Sequence, residues 1–341
     1  MQTSTDFSAN SPLGVGLVGT GFAAQRRAEA LQADERSRLV AVTGHTSPST
    51  ANFAQTHQAS PRDSPQQLVS DPEIDLITIC TINHDHGAIA HAALEAGKHV
   101  VVEYPPALDP AQAQALITLS QTQGKLLHVE HIELLGGLHQ AIRQSLPKIG
   151  NAFYARYVTI NPKRPAPRRW TYSRALFGFP LSGALSRIHR LTNLFGTVAS
   201  VSCQPRFWET TEPDYYTACL CNAQLRFSNG LIADLTYGKG ETFWQRNRTF
   251  ELHGDEGTLV FDGEEGSLVR EEEKTPIEVG SRRGLFAQDT KMVLDHLTEG
   301  TPLYVTPDAS CYALKVADAA RQSAETGETI YLVGVGKDGN N

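Results

Sequence analysis

The stretch LGVGLVGTGFAAQRRAEALQ, residues 13–32, decides the fold. An apolar run leads into GTGFAA, and a helical pattern of apolar residues follows. Gly19, Gly21 and Ala24 match G-x-G-x-x-G/A between a strand and a helix, the pattern that binds a dinucleotide pyrophosphate at a helix N-terminus. A plain glycine-rich turn is the alternative, but the flanking strand and helix favour a dinucleotide site. The cofactor-binding residues predicted in this stretch are Gly19, Gly21, Phe22, Ala23 and Ala24.

Strand and helix patterns continue to alternate downstream of this stretch. The apolar runs DLITIC, KHVVVEY and KLLHVEH predict strands, and the segments between them have helical periodicity. Gly97 and Gly124 are placed to end helices, and Asp109 followed by Pro110 is placed to begin one. This alternation predicts a doubly wound parallel sheet, whose ligands bind at the carboxyl ends of its strands. The segments expected to line that cleft are 19–24, 45–47, 81–86, 103–105 and 130–133.

The second predicted strand, SRLVAVTG, ends before His45, Thr46 and Ser47. Enzymes that use NAD usually have a carboxylate here, which holds a hydroxyl of the adenine ribose. Without that carboxylate nothing repels a 2′-phosphate, and the hydroxyls and the histidine could donate to one. The sequence therefore favours NADPH, with NADH possible but weaker. The other cofactor-binding residues predicted at strand ends are Thr81, Ile82, Asn83, His86 and Glu103.

From about residue 152 the sequence changes to apolar runs of period two, separated by turn signals such as SNG and DGEEG. These runs predict a large, mostly antiparallel sheet, and helical patterns accompany it. The predicted fold is therefore α/β: an N-terminal Rossmann domain that binds NADP(H) over 13–134 and a substrate-binding α+β domain over 135–332. Residues 1–12 are expected to form a disordered arm and residues 333–341 a flexible tail.

The composition limits the class of protein. The 341 residues are 40% apolar and 20% charged, and a formal net charge of −7 disfavours a nucleic-acid partner. No run reaches the roughly 18 apolar residues of a membrane span, so no membrane partner is expected. The five cysteines are odd in number and lack metal-site spacing, which predicts reduced thiols, no metal and a cytoplasmic location.

Three long segments resemble the Gfo/Idh/MocA oxidoreductases: residues 18–31, 71–105 and 289–332. Within that family, four shorter motifs resemble the biliverdin reductases. These motifs are EYP (103–105), KLLHVEHIELL (125–135), FGFPLSGALSRIHRLTNLFG (177–196) and QRNR (245–248). The resemblance covers nearly the whole chain. It implies that biliverdin is the substrate and that its central methine bridge is reduced by NADPH to give bilirubin.

The departures from the wider family pattern agree with this implication. Sugar- and polyol-oxidising members have a lysine between the glutamate and proline of a Glu-Lys-Pro triplet, where this chain has Tyr104. They also have an Asp-x-x-x-His pair, whose places fall on Ser182 and Ser186. Lysine and histidine move a proton to or from an alcohol during hydride transfer. Their replacement disfavours alcohol–ketone chemistry and indicates a different enzyme rather than a damaged one.

The resemblance also implies roles for individual residues. Arg187 is expected to matter most for turnover, by orienting a water or a propionate or by passing a proton in a concerted step, and Tyr104 is the second predicted catalytic residue. The alternatives are a solvated helix face for the arginines of residues 184–196, strand-end packing for Tyr104, fold-holding carboxylates at the glutamates, and surface ion pairs for QRNR. The predicted substrate-binding residues are Tyr104, Glu130, Glu133, Arg187, Arg190 and Arg246.

Two rival functions stand beside this hypothesis. One is a Gfo/Idh/MocA-type NADP(H) oxidoreductase for another substrate, and the other is a non-catalytic regulatory protein that binds NADP(H) or a tetrapyrrole. Reduction of the pigment with consumption of NADPH, a colour shift without consumption, or neither would separate the three. Since biliverdin reductases tend to be monomers, the resemblance also implies a monomer.

Overall fold

The computed structural model describes residues 11–332, and the chain divides into two compact units. Among the described residues, the first unit contains 11–132 and 283–312, and the second contains 133–282 and 313–332. Residues 1–10 of the predicted arm and the whole predicted tail, 333–341, lie outside the described residues. Within the described range, no helix is both long enough and apolar enough to cross a membrane.

The first unit is built on a six-stranded parallel sheet with the strand order β3-β2-β1-β4-β5-β6. Its strands are β1 (Leu13–Val18), β2 (Ser37–Thr43), β3 (Ser60–Pro61), β4 (Leu76–Ile79), β5 (His99–Val102) and β6 (Leu127–Val129). The helices that connect them are α1 (Phe22–Gln32), α2 (Ser47–Thr56), α3 (Pro65–Val69), α4 (Asn83–Glu95) and α5 (Pro110–Gln123). The strand order runs outward in both directions from β1, so this is the predicted doubly wound sheet.

The second unit is built on a nine-stranded sheet. Its strands are β7 (Ala152–Pro162), β8 (Val198–Glu209), β9 (Tyr216–Phe227), β10 (Ile232–Gly240), β11 (Asn247–Gly254), β12 (Gly257–Asp262), β13 (Glu265–Arg270), β14 (Glu273–Ile277) and β15 (Ile330–Tyr331). They follow the order β14-β13-β12-β11-β7-β10-β9-β8-β15, in which only the neighbours β7 and β10 are parallel. The predicted fold class, a Rossmann sheet followed by a mostly antiparallel sheet, is confirmed.

The remaining helices follow β6 in the chain. They are α6 (Gly137–Ser145), α7 (Arg174–Phe177), α8 (Pro180–Gly183), α9 (Ser186–Phe195), α10 (Leu285–Glu299) and α11 (Pro307–Thr326). Three short 3-10 helices occupy Ile132–Leu134, Leu146–Ile149 and Trp170–Tyr172. Of these elements, α10 belongs to the first unit, although the predicted division at 134/135 assigned its residues to the second.

Local sequence accounts for the ends of α5. The carboxylate of Asp109 accepts a hydrogen bond of 2.9 Å from the N–H of Ala111, and Pro110 occupies the first helical position. Gly124 ends the helix in the left-handed conformation, with φ of 62°. The predicted beginning and end of this helix are therefore both confirmed.

The segment between β2 and β4 contains more structure than its sequence pattern indicates. It forms α2, the short strand β3 and α3. The helix α2 buries only Thr50, Phe53 and Ala54, so its apolar stripe is too narrow to stand out in the sequence. The start of α2 is instead stabilised by a local hydrogen bond, which the Thr46 hydroxyl accepts from the N–H of Ser49 at 3.4 Å.

Strand pairing brings rows of side chains to one face of the second sheet. One row across β9, β10, β7 and β11 contains Cys221, Tyr237, Thr159 and Arg248. The next row contains Ala223, Leu235, Tyr157 and Phe250. Residues paired across neighbouring strands point to the same face, so these rows form one surface of mixed apolar and polar character. The helix α9 contacts this surface, because the guanidinium of Arg190 donates a hydrogen bond of 2.5 Å to the Tyr157 hydroxyl.

A buried ion pair fixes α10 to the first unit. Arg27 of α1 and Asp289 of α10 are 1% and 0% exposed, and their side chains are bonded to each other. His128 Nε2 and the Tyr304 hydroxyl lie 2.8 Å and 2.7 Å from Asp289 Oδ1. Burial alone would raise the pKa of Asp289, but the charges of Arg27 and His128 outweigh it and hold that pKa below its usual range. Asp289 is therefore ionised, and it joins three segments that are distant in sequence.

The substitution Asp289→Asn tests this ion pair, because it keeps the side-chain volume and removes the counter-ion of a buried guanidinium. We expect the free energy of unfolding to fall by about 3 kcal/mol or more, as measured by urea titration. The matched control is Asp295→Asn on the same helix, whose partners Arg36 and Lys291 are solvent-accessible. The control should lose less than about 1 kcal/mol, and equal losses would contradict a special role for the buried pair.

The difference between these two variants should also depend on pH. A carboxylate whose pKa is lowered by folding stabilises the folded state fully above its unfolded pKa of about 4 and progressively less as the pH falls below that value. The loss caused by Asp289→Asn should therefore be largest near neutral pH and should shrink in acid.

Candidate active site

The glycine turn between β1 and α1 has the geometry that its sequence predicts. Gly19 has φ of +119°, and a Cβ there would lie 2.1 Å from the carbonyl oxygen of Cys80, so only glycine fits. Gly21 caps α1, and a Cβ at this position would meet nothing within 4 Å in the described part of the chain. Within the same residues, no side chain caps α1 and its first turn contains no acid. The helix N-terminus thus faces open space that suits a phosphate.

The residues after Gly21 form the first turn of α1. Ala24 is completely buried in the core of the unit and Ala23 packs against that core, which lets the helix lie close to the sheet. Phe22 is 75% exposed, and its ring meets that of Phe286 edge-on at 6.1 Å. An aromatic ring therefore stands exposed directly beside the open end of the helix.

His45, Thr46 and Ser47 lead from β2 into α2 and are all exposed. Thr46 caps α2 and Ser47 is the first residue of that helix, so the two hydroxyls lie at its positive end. No residue from 43 to 50 is acidic. This combination of a helix N-terminus, hydroxyls and a histidine can receive an anion where NAD-binding enzymes have a carboxylate.

The loop after β4 is held by a buried histidine. Thr81 and Ile82 are partly exposed, whereas Asn83 is only 3% exposed. The ring nitrogens of His86 lie 2.8 Å from the carbonyl oxygen of Pro105 and 3.2 Å from that of Thr81. Burial lowers the pKa of His86, which favours the neutral ring. His86 therefore joins the ends of β4 and β5 through their backbone.

Two carboxyl groups meet where β5 and β6 end. Glu103 Oε1 accepts hydrogen bonds of 3.3 Å from both Nε and Nη2 of Arg27. Glu130 is 1% exposed, and its Oε1 accepts a 2.5 Å hydrogen bond from the N–H of Ile132. Burial raises the pKa of Glu130 well above its usual value, and the neighbouring Glu103 raises it further. Both effects favour the neutral form of Glu130.

Tyr104 stacks on a second buried histidine. The ring centroids of Tyr104 and His131 are 5.2 Å apart and the planes differ by 5°. His131 is fully buried, and its Nε2 lies 2.8 Å from the Ser310 hydroxyl of α11. The N–H of His131 also donates to the Tyr304 hydroxyl at 3.1 Å. The tyrosine at the end of β5 is thus supported by a ring that is fixed on two sides.

In the second unit, α9 turns its arginines inward, so the alternative of a solvated helix face is wrong. Arg190 is 1% exposed, and its Nη2 donates to Glu133 Oε2 at 3.1 Å. Arg187 is partly buried, with its guanidinium 5.3 Å from the ring centroid of Tyr237. Nη1 of Arg187 donates to the Ser186 hydroxyl at 3.0 Å. Ser182 and Ser186 are both buried, so neutral hydroxyls occupy the places of the family's Asp-x-x-x-His pair.

Four arginines surround Glu133. Burial would raise the pKa of Glu133, but the positive charges nearby lower it. These charges belong to Arg190, Arg282, Arg187 and Arg248, in decreasing order of effect. Of the two carboxylate oxygens, Oε2 accepts from Arg190 and Oε1 accepts from Arg282. The cluster is strongly cationic, because four guanidinium groups face one carboxylate.

Sequence reasoning found only part of this arginine cluster. Arg282 was missed because it lies in a loop 149 positions from Glu133 and belongs to no motif. Arg246 was chosen from QRNR as the substrate-binding member, but it is exposed and precedes β11. Arg248, two residues later and on the strand, is the member that joins the cluster. Alternation along a strand places residues two positions apart on the same face, so only the start of β11 at Asn247 separates Arg246 from Arg248.

A buried lysine, also missed, stands close to Arg187. The ammonium of Lys239 donates to the carbonyl oxygen of Thr171 and lies 3.7 Å from the ring centroid of Phe177. Burial lowers the pKa of Lys239 to about 8, and the charge of Arg187 acts in the same direction. Three tyrosine rings lie within cation–π range of the same ammonium: Tyr172, Tyr216 and Tyr237.

Each unit therefore presents its own set of groups. The first has an open helix N-terminus, a second helix end rich in hydroxyls, a tyrosine stacked on a buried histidine, and a buried glutamate whose pKa is raised. The second has fixed cations bordered by aromatic rings. Such cations can bind an anionic, largely apolar ligand and stabilise negative charge that develops on it during a reaction.

Two family models match this chain. The NAD-binding Rossmann-fold domain of the Gfo/Idh/MocA oxidoreductase family matches residues 13–131. The C-terminal alpha/beta domain of the same family matches residues 143–332. Between them the two domains span most of both units described above.

Individual relatives indicate more specifically than the family models which enzymes this chain resembles. Biliverdin reductase A of Mus musculus is 29% identical over 83% of this chain and 85% of its own length. The crystal structure of biliverdin reductase from Synechocystis sp. PCC 6803, in complex with biliverdin and NADP+, is 59% identical and has a TM-score of 0.91. That match covers 92% of this chain and 99% of the other. A levoglucosan dehydrogenase complexed with NADH has a TM-score of 0.83 at 19% identity, which shows the shared fold alone. The chain belongs to the Gfo/Idh/MocA oxidoreductase family and, within it, is similar to the biliverdin reductases over nearly its whole length.

Proposed function

We propose that this protein is an NADPH-dependent biliverdin reductase, which reduces the central methine bridge of biliverdin to give bilirubin. The observation that carries the proposal is the 59% identity, over 92% of this chain, to an enzyme crystallised with biliverdin and NADP+. The chemistry of the described residues agrees with it. The positions at which related enzymes have a proton-transferring lysine and histidine are Tyr104 and Ser186 here.

The residues of the first unit fit NADPH. Gly19, Gly21 and the N–H groups of α1 would hold the pyrophosphate, because Gly21 caps the helix and a Cβ there would meet only open space among the described residues. The residues proposed for the 2′-phosphate are His45, Thr46 and Ser47. Those proposed for the rest of the cofactor are Phe22, Ala23, Ala24, Thr81, Ile82, Asn83 and Glu103, with His86 behind them. When bound, NADPH supplies the hydride.

The pigment needs a proton and charge stabilisation rather than a strong base. When hydride adds to the methine carbon, an electron pair moves through the conjugated system to a pyrrolic nitrogen, which then takes a proton. A fixed cation near that nitrogen stabilises the charge while it develops. We assign this role to Arg187, whose guanidinium is held by Ser186 and by the ring of Tyr237. A pKa above about 12 makes arginine a weak acid. We therefore assign Arg187 charge stabilisation and orientation in preference to proton donation.

We assign Tyr104 a packing role, in which its ring lies against the nicotinamide or the pigment. Its ring is stacked on His131, which fixes the plane of the phenol at the carboxyl end of β5. Glu130, as a neutral acid, could donate a hydrogen bond beside it, and Glu133 holds the arginines of the second unit. In this arrangement Tyr104, Glu130 and Arg187 face the reacting partners, whereas Glu133 positions the arginines.

We further propose that the protein acts as a monomer in the cytoplasm. The five cysteines are all buried free thiols, which is compatible with a reducing compartment. Light scattering after gel filtration would test the oligomeric state, and a mass near twice 37.2 kDa would contradict it.

The function is tested by mixing the purified protein with biliverdin and NADPH. We expect biliverdin absorbance to be replaced by bilirubin absorbance while NADPH is consumed in a one-to-one ratio. A colour shift without consumption of NADPH would indicate a pigment-binding protein. No change at all would rule out both a biliverdin reductase and a pigment-binding protein.

The choice between cofactors is tested at the start of α2. Ser47→Asp should lower kcat/KM for NADPH and leave that for NADH equal or higher, because a carboxylate repels the 2′-phosphate. Gln55→Glu, which adds the same charge near the far end of α2, is the control and should leave the preference unchanged. A parent enzyme with equal kcat/KM for the two cofactors would contradict the assignment of residues 45–47.

The role of the strand-end tyrosine is tested by removing only its hydroxyl. Tyr104→Phe keeps the ring stacked on His131, so we expect turnover to fall by only a few-fold. If the phenol were the proton donor, the loss should reach about 10²-fold or more. A collapse of kcat with unchanged binding of pigment would therefore overturn the packing role.

The role of Arg187 is tested by separating turnover from stability. Arg187→Ala should lower kcat by about 10²-fold or more, since a preorganised charge is lost, while the dissociation constant of NADPH stays the same. Arg187→Lys should rescue poorly, because an ammonium cannot reproduce a planar fork of five donors.

Arg190→Ala provides the contrast for Arg187. Because Arg190 is buried and bonded to Tyr157 and Glu133, its loss should lower the thermal midpoint clearly, whereas Arg187→Ala should lower it little. If Arg187→Ala retained the parent's turnover of biliverdin, α9 would not belong to the active site.

A further inference from the structure

Lys239 is a buried cation on β10, close to Arg187. Its side chain belongs to a residue that is 7% exposed, and it is paired with Asn161 of β7 and Cys219 of β9 on the neighbouring strands. Among residues 11–332, no carboxylate oxygen lies within ion-pair distance of its ammonium. A buried ammonium without a counter-ion is unfavourable for folding unless other groups stabilise it.

One carbonyl oxygen and four aromatic rings surround this ammonium. Nζ donates to the carbonyl oxygen of Thr171, which also accepts a hydrogen bond of 3.2 Å from the Tyr216 hydroxyl. The distances from Nζ to the ring centroids are 3.7 Å for Phe177, 4.9 Å for Tyr172, 5.5 Å for Tyr216 and 6.0 Å for Tyr237. The face of an aromatic ring attracts a cation, most strongly where water is excluded. We call these five groups the ammonium cage.

Most of the ammonium cage belongs to the segment 170–186, which leads into α9 and supplies three of the five groups. Within this segment the ring of Phe177 packs against α8, because a Cβ on Gly183 would lie 2.5 Å from that ring. Arg187 follows soon afterwards, in the first turn of α9. Lys239 therefore ties the strand β10 to the segment that carries Arg187.

Lys239 and Arg187 also share one ring of the cage. The centroid of the Tyr237 ring lies 5.3 Å from the guanidinium carbon of Arg187 and 6.0 Å from the ammonium of Lys239. The two positive charges repel each other, since the charge of Arg187 disfavours the protonated form of Lys239. For the same reason, a charged ammonium inside the cage opposes movement of the guanidinium towards it. The occupied cage thus keeps Arg187 beside Tyr237.

The charge of Lys239 can change near neutral pH. Burial and the charge of Arg187 together lower its pKa to about 8. The neighbouring thiols on β9 behave differently, because burial raises the pKa of Cys219. A hydrogen bond with Cys203, together with burial, raises the pKa of Cys221 as well. Both thiols therefore stay protonated while Lys239 titrates.

The other ionisable groups around the cage come from four segments. Burial raises the pKa of Tyr172 and of Tyr216, so these phenols stay neutral while Lys239 titrates. Tyr237 lies on β10 itself, Arg174 on α7, and Glu241 directly after β10. Lys239 is thus a titrating cation enclosed by thiols and phenols that keep their protons.

We propose that Lys239 is a positioning residue for reduction of the pigment, because its charged ammonium holds the Arg187 guanidinium in the orientation that stabilises charge on the substrate. The inference rests on the proposed function and adds to it a residue that controls Arg187. When Lys239 releases its proton to solvent, the attraction to the rings and the repulsion of Arg187 are both lost. Arg187 stays charged, but its position is then no longer fixed.

The test measures kcat/KM for biliverdin at saturating NADPH as a function of pH. In the parent, kcat/KM should fall as the pH rises through about 8. Lys239→Met should lack this fall, and at neutral pH its kcat should be lower by about 10-fold or more while KM changes by less than about 3-fold. Lys239→Arg, which stays charged, should also lack the fall and should retain more of the parent's kcat than Lys239→Met.

A matched control is Lys274→Met, which removes an exposed lysine from β14 of the same sheet and should leave kcat and its pH dependence unchanged. The thermal midpoint is a readout that does not depend on activity. The pKa of Lys239 is about 8 in the folded protein and about 10.4 in the unfolded chain, so the unfolded chain binds more protons between these values. From about pH 8 to about pH 10, the midpoint of the parent should therefore rise relative to that of Lys239→Met.

Three results would overturn the positioning role. These are a parent profile that stays flat through about pH 8, a Lys239→Met profile that keeps the parent's fall, and an unchanged kcat in Lys239→Met. If Lys239→Met does not fold, the profiles of the parent and of Lys239→Arg decide. Failure of the proposed function is a separate result, in which the parent binds NADPH and reduces no biliverdin at any pH, and the positioning role then fails with it.

Discussion

Arg27 lies on the buried face of α1, together with Ala24, Ala28 and Leu31, where water does not reach its guanidinium. A charge in that position has to be neutralised, and Asp289 of α10 does so from the far end of the chain. Because the helix that carries the glycine turn is held in this way, the open N–H groups at its start depend on a residue 262 positions away. This also explains why α10 belongs with the parallel sheet rather than with the sheet that precedes it in sequence.

The neighbouring strand ends place two further carboxyl groups near the same cation. Arg27 also bonds to Glu103, whose remaining negative charge acts against ionisation of the adjacent Glu130. Burial works in the same direction, so the neutral form of Glu130 is favoured, whereas the charge of Arg27 favours the ionised form of Asp289. In the first unit, therefore, a single buried cation, Arg27, is bordered by the carboxyl groups of Glu103 and Asp289. The arginine cluster around Glu133 follows the opposite arrangement, because its positive charges exceed its negative charge. A buried cation with carboxylate partners can hold backbone segments together, whereas an excess of cations suits an anionic ligand.

The features that could be predicted from sequence depend on neighbours in the chain. The glycine turn, the capped ends of α5 and the period-two strands are local patterns, and each is found where its pattern indicated. The features that were not predicted depend on contacts with residues that are distant in the sequence. The inward arginines of α9 looked equally suited to a solvated face, because their burial depends on Tyr157 and Glu133. Arg282 belongs to no periodic segment, and the helix α2 buries too narrow a stripe to reveal itself. Local patterns thus predict the helices and strands. The burial and charge of the site residues depend on how those elements pack against each other.

The replacement at Tyr104 can be understood from the chemistry that each substrate requires. An alcohol must lose a proton as its hydride leaves, so its enzyme needs a base at the end of β5. A conjugated tetrapyrrole receives a hydride and spreads the resulting charge over its rings, so a base there would serve no step. What it needs is a flat support and fixed cations. The stack of Tyr104 on His131 offers the first within one unit, and the arginines that meet Glu133 offer the second within the other. A strand end with tyrosine in place of that lysine is therefore suited to a different reaction, in which fixed cations stabilise the developing charge and no base is needed at this position.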